Sequence, residues 1–326
     1  MDRRQLLAVL SLVPALAQYA RAQTSKARRI GVIMPSTPAA TANLAAALEQ
    51  GLRERGYAPG RDVHVEYRYS EGRLERVQEL TRELVDGARV EVIVSTTDSV
   101  VQAIKRHAPN TAIVMVNTSD PVGNGLVESL AQPGGSITGI TNLSPEISAK
   151  RLELLKESVP GLARVAYLWN SGLAGASDVR AELQAAARRL KLDLRSVEAR
   201  RVEDIAPALA TIGRGPATAL LVQAPNPVLY TERRRIAELA RAQGLPSMFN
   251  RWEYVSAGGL MSYGPNVPDM YRRAAGYIDQ IFKGARPGEI PVERPSQFEL
   301  AINLQTAQAL GIAVPRAVLG RADRTF

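Results

Sequence analysis

The chain has 326 residues, 45% of them hydrophobic and 22% charged, which is globular composition with apolar material enough for two cores. Its formal net charge is +9, and it contains no cysteine. The lack of cysteine excludes disulfides, thiolate metal sites, a cysteine nucleophile and a lipid-modified N-terminal cysteine. The positive balance reads as charged helix faces on a soluble protein.

Residues 1–22 form a distinct segment. Arg3 and Arg4 supply a positive start, an apolar run follows from Leu6 to Ala17, and Ala20 and Ala22 are the small residues that a signal peptidase reads. The pattern predicts an export signal cleaved before Gln23, and Arg3-Arg4 leaves the twin-arginine and general routes both open. The run is shorter than the roughly 20 residues that a membrane span needs. These 22 residues carry three arginines and one aspartate, a net +2, so the remainder carries +7.

From Lys26 the chain alternates short apolar runs with amphipathic stretches. Ile30–Met34 reads as a buried strand, and Leu44, Leu48 and Leu52, four apart, predict a helix over 41–55. A strand over 63–69, a helix carrying Leu74 to Leu84, a strand at Val92–Val94, a helix over 98–107 and a strand at Ile113–Val116 follow. A helix over about 122–130 and a strand over 136–141 complete the first unit. The rhythm restarts with a helix carrying Leu152, Leu155 and Val159, strands at 164–168, 192–198, 219–222 and 246–249, and helices between them. A strand over 258–263, a helix over 266–284 and a strand running into a helix over 298–310 form the tail. This order predicts an α/β protein of two Rossmann-like, doubly wound parallel-sheet lobes. The extra elements predict a multi-crossover hinge, with crossings near 141–143, 250–254 and 285–290. Lobe 1 is then 28–142 plus 254–286, and lobe 2 is 143–253 plus 287–326.

Four segments carry a family resemblance: Ser119–Val127 (SDPVGNGLV), Gln132–Thr141 (QPGGSITGIT), Glu253–Gly264 (EYVSAGGLMSYG) and Phe298–Pro315 (FELAINLQTAQALGIAVP). In this order they resemble the ABC-transporter substrate-binding proteins whose best-known members bind tryptophan and related amino acids. The resemblance spans the chain beyond the signal segment. It implies the type I periplasmic-binding-protein fold, a periplasmic monomer, a small-molecule ligand in the interlobe cleft, and delivery to an ABC permease in the membrane. One departure concerns the ligand: Asp98-Ser99 stands where many relatives have Thr-Pro.

Ligands of open α/β sheets bind beyond the carboxyl ends of the strands. Those loops hold Ser36 and Thr37, then Thr96, Thr97 and Asp98, then Asp120 in the first unit, and Asn170, Ser171, Gln223, Asn226 and Asn250 in the second. Small hydroxyl and amide residues leave backbone N–H groups at helix starts free to hold a carboxylate without an arginine. Asp98 or Asp120 would accept from a ligand ammonium, while Trp169, Trp252 or Tyr263 would wall a planar side chain. Each has a plainer role available, as a helix cap for Asp98, a turn for Asp120 and hinge packing for Trp252.

Catalytic machinery is not legible. The two histidines, His64 and His107, stand apart and outside any metal-ligand spacing, and neither a nucleophile elbow nor a phosphate loop occurs. No cofactor is expected. Basic clusters without interleaved aromatics argue against nucleic-acid binding. A periplasmic sensor of the same fold, signalling to a membrane receptor, is the alternative to a transport role.

Overall fold

The computed structural model describes residues 27–142, 144–172, 176–213, 217–222, 226–295 and 297–326. The proposed signal segment and Gln223 lie outside the described residues.

The first lobe opens with strand β1 (Arg28–Met34) and helix α1 (Pro38–Glu54). Strand β2 (Val63–Tyr69), helix α2 (Val77–Arg82), strand β3 (Val92–Thr96), helix α3 (Asp98–His107), strand β4 (Ala112–Thr118) and strand β5 (Ile137–Thr141) follow. The five strands form a parallel sheet in the order β2-β1-β3-β4-β5. Along β1, Ile30, Val32 and Met34 enter one core while Ile33 enters the other. That alternation, buried on both sides, is what a helix-covered parallel strand requires.

The second lobe begins with helix α4 (Ser144–Ser158), strand β6 (Arg164–Trp169), helix α5 (Ala176–Arg189) and strand β7 (Asp193–Glu198). Helix α6 (Val202–Ala210), strand β8 (Thr218–Val222), helices α7 (Pro227–Thr231) and α8 (Arg233–Ala242) and strand β9 (Ser247–Phe249) continue it. Then come helix α9 (Trp252–Ser256), strand β10 (Met261–Pro265), helix α10 (Val267–Phe282), strand β11 (Phe298–Ile302), helices α11 (Leu304–Ala309) and α12 (Arg316–Leu319), and strand β12 (Arg324–Thr325). The second sheet has seven strands in the order β12-β11-β10-β9-β8-β6-β7, parallel except where β11 runs against β10. In β8, Ala219 and Leu221 face one core, Leu220 and Val222 the other.

Helix α10 returns to the first lobe and packs Val267, Met270, Tyr271, Ala274 and Ile278 into the core that holds Leu44, Leu48 and Leu52 of α1. Burying each of those leucines is worth roughly 1.5–3 kcal/mol. Gly51 lets the two helices meet, since a Cβ there would lie 2.0 Å from the Arg272 carbonyl oxygen.

Three details differ from the sequence reading. Residues 122–130 form turns, not a helix; Gly125 takes φ +64°, and Asn124 N bonds back to Asp120 O at 3.0 Å. The second crossing falls after Pro265 instead of at 250–254, because β10 pairs with β9 and β11 in the second sheet. The third falls beyond Glu293, whose N–H donates to Gly139 O of the first lobe at 3.0 Å. Residues 254–265 thus sit with the second sheet, and 287–293 with the first.

Candidate functional site

The carboxyl ends of β1, β3, β4, β8 and β9 meet at one cavity between the lobes. The first lobe contributes Pro35, Ser36, Leu44, Thr96, Thr97 and Asn117. The second contributes Asn226, Pro227, Tyr230, Asn250, Arg251 and Tyr254. The lobes already touch: Ser36 Oγ donates to Pro227 O at 3.3 Å, Asn43 Nδ2 donates to Glu253 Oε1 at 3.2 Å, and Ala40 packs into the second lobe's core.

Thr97 stands out among these residues. It is 5% exposed, and its Oγ1 is buried without a hydrogen-bond partner. Its backbone holds φ +65°, a strained conformation for a β-branched residue, at the start of α3. A buried polar atom without a partner is uncommon and costs stability unless something else satisfies it. Asn117 also has positive φ, +59°, at a register shift between Val116 and Thr118, and its Oδ1 accepts from Asn142 Nδ2 at 2.7 Å. A bulge of this kind re-aims a side chain at a strand end.

On the opposite wall Arg251 is clamped by Glu253, with Nε to Oε2 at 3.2 Å and Nη2 to Oε1 at 2.5 Å. The Tyr230 hydroxyl donates to Glu253 Oε1 at 3.3 Å, and the Arg251 guanidinium lies 4.1 Å from the Tyr230 ring centre. Burial opposes both charges. Their mutual attraction and hydrogen bonds outweigh it, holding the Glu253 carboxyl below its usual range and Arg251 above its own. Tyr254 stacks on Phe249 at 4.6 Å and meets Tyr230 edge-on at 6.1 Å, which fixes the aromatic side of the cavity.

Of the residues read from the sequence, Ser36, Thr96, Thr97, Asn226 and Asn250 are brought together at the cavity. The other described ones are placed elsewhere. Thr37 caps α1, accepting from Ala40 N at 3.3 Å. Asp98, proposed as an ammonium acceptor, is turned away onto the next loop. Its carboxylate accepts from Ser119 Oγ (2.7 Å), Ser119 N (2.8 Å), Asn124 Nδ2 (3.1 Å) and Asp120 N (3.3 Å). Asp120 is exposed and accepts from Gly123 N at 2.9 Å, so it shapes a turn.

Asn170 binds Gly172 N at 2.9 Å and Arg200 O at 3.4 Å, while Ser171 joins Glu198 and Arg200. Trp252 stacks on Phe326 at 6.3 Å beneath Arg324 and borders a separate opening that Thr37 also lines. The reading missed Asn117, Tyr230, Arg251 and Tyr254. Arg251 directly follows Asn250, so it was within reach of the strand-end rule; Tyr230 and Tyr254 sit inside helices, where only tertiary packing reveals them.

Residues 29–326 match the family model described as ABC transporter substrate binding protein. A curated relative, a tyrosine-binding protein of Clostridioides difficile (strain R20291), is 23% identical over 262 residues, 80% of this chain and 74% of the relative. Among solved structures, a conserved domain protein from Vibrio cholerae O1 biovar El Tor strain N16961 is 26% identical with a TM-score of 0.84, covering 92% of this chain and 100% of that one. The ABC domain in complex with L-Trp from Streptococcus pneumonia is 24% identical with a TM-score of 0.83, at 92% and 100% coverage. The shared architecture is the two-lobed type I periplasmic-binding-protein fold.

Proposed function

The chain belongs to the ABC transporter substrate-binding protein family, and from that premise we propose that it captures a small organic carboxylate, amino acids included, in the interlobe cavity. It does so outside the cytoplasmic membrane and presents the closed form to an ABC permease. The family's members bind solutes and do not transform them. The observation that carries the reading is the buried, unpartnered Thr97 Oγ1, a donor held at a helix start on the wall of a cavity shared by two lobes.

Ser36, Thr96, Thr97 and Asn117 form one half-site; Asn226, Asn250, Arg251 and the two tyrosines form the other. A ligand that touches both stabilises the closed form by the contacts that the open form lacks. Micromolar capture requires about 8 kcal/mol net. Charge-assisted hydrogen bonds of about 1.5–3 kcal/mol each, with burial of an apolar group, reach it after ordering costs.

A thermal-shift screen of the purified protein against amino acids, aromatic and aliphatic carboxylates and sugars tests the proposal. Tyrosine and tryptophan, named for the relatives, are the first compounds to include. Carboxylates should raise the midpoint in a concentration-dependent way. A rise with sugars alone, or with nothing, contradicts it.

A further inference from the structure

We infer that the cavity selects a planar organic anion that carries no ammonium group, an aromatic carboxylate in preference to an α-amino acid. The inference rests on the solute-binding reading above and narrows its ligand.

The charges around the cavity carry it. The described residues that line it include Arg251 and no acidic side chain. The carboxylates that adjoin the lining residues Thr97 and Arg251 in the chain, Asp98 and Glu253, are both engaged. Glu253 Oε1 already takes three donors, Arg251 Nη2, Tyr230 Oη and Asn43 Nδ2, and its Oε2 takes Arg251 Nε. Asp98 spends both oxygens on the 119–124 loop. Asp120 is exposed in its own turn.

What the cavity does offer is hydrogen-bond donors. The ten-residue helix α3 begins at Asp98, so the positive end of its dipole sits beside Thr97. Thr97 is 95% buried, and its hydroxyl is unpartnered at that point, ready to donate. Arg251 faces it from the other lobe, and its Nη1 is not part of the Glu253 clamp. An anion placed between them meets donors on both sides. An ammonium in the same space meets a helix N-terminus and a guanidinium, and the acids behind them, Asp98 and Glu253, have their oxygens taken by other donors.

The remaining walls set the shape of the ligand. Tyr230, Tyr254, Pro35, Leu44 and Pro227 supply apolar and aromatic surface. Tyr254 is braced by Phe249 with its ring plane within 13° of parallel. Walls of this kind suit a flat aromatic body whose carboxylate is turned toward the donors.

Isothermal titration at neutral pH with matched compounds tests this. The pairs are L-tyrosine against 3-(4-hydroxyphenyl)propionate and L-tryptophan against indole-3-propionate, with tyramine and tryptamine as amines lacking the carboxylate. Each acid should bind roughly tenfold or more tightly than its amino acid, and the amines should give no heat. The double variant Arg251→Gln with Glu253→Gln, which keeps the buried pair uncharged and so preserves the fold, should weaken the acids by roughly tenfold or more. An amino acid that matches or exceeds its acid overturns the inference and leaves the solute-binding function standing. So does acid binding that the double variant leaves unmoved. Silence from all six compounds also overturns it, whereas the function itself falls only if the broad thermal-shift screen finds no carboxylate.

Discussion

Glu253→Ala should lower the stability of the protein by about 3–5 kcal/mol, the cost of leaving a buried charge without its partner. Glu253 is 6% exposed, and its carboxylate is the shared acceptor for Arg251, Tyr230 and Asn43. Truncation strands the Arg251 guanidinium and two neutral donors together in a low-dielectric wall. Glu253→Gln keeps an acceptor and should cost less. Urea unfolding followed by circular dichroism measures both; a loss below about 1 kcal/mol for the alanine variant would mean that Arg251 finds another partner.

The pH dependence follows from the sign of the shift. Arg251 holds the folded Glu253 carboxyl below its ordinary value despite the opposing effect of burial. Its contribution is therefore complete above the unfolded glutamate range and lost as pH falls through the lower folded value. The stability gap between wild type and Glu253→Ala should narrow in acid and stay constant through neutrality.

Thr97→Val should weaken ligand binding by about 1.5–3 kcal/mol, roughly 10- to 100-fold in affinity, while leaving stability unchanged or slightly raised. Valine preserves shape and branching, so the strain at φ +65° is the same in both proteins. Only the hydroxyl is removed, and in the free protein that hydroxyl is buried without a partner. Deleting it relieves a desolvation cost in the free form and removes a contact in the bound form. A purely structural threonine would behave in the opposite way, losing stability and keeping affinity. Titration with the ligand found by screening, beside a thermal melt, separates the two.

The strands and most helices were legible because a parallel strand buried on both faces is a short run of Val and Ile, and α1 spells its buried stripe as Leu44, Leu48 and Leu52. The crossings were less so. Nothing in Met261–Pro265 says which sheet it joins; that is decided by pairing with Met248 and Phe249 on one side and with β11 on the other. The turns over 122–130 carried helix-like apolar spacing. Asp98 and two glycines, Gly123 and Gly125, settled that segment as a loop instead.

At the site, strand ends located Ser36, Thr96, Thr97 and Asn250, because the topology sends the ends of β1, β3, β4, β8 and β9 toward one crevice. Side-chain direction was not legible. Asp98 follows Thr97 directly, yet the helix start turns its carboxylate onto Ser119 while Thr97 stays on the cavity. Arg251 lines the cavity, while the ring of the neighbouring Trp252, the more conspicuous residue in the sequence, packs against Phe326.

The central claim is that one guest molecule bridges two half-sites and holds them together. Small-angle X-ray scattering during titration with the ligand identified by screening tests it most directly. The radius of gyration should fall as the ligand saturates, and Thr97→Val should need roughly 10- to 100-fold more ligand to reach the same compact state. Saturable binding with an unchanged radius of gyration, or compaction at the same ligand concentration in the variant, would contradict it.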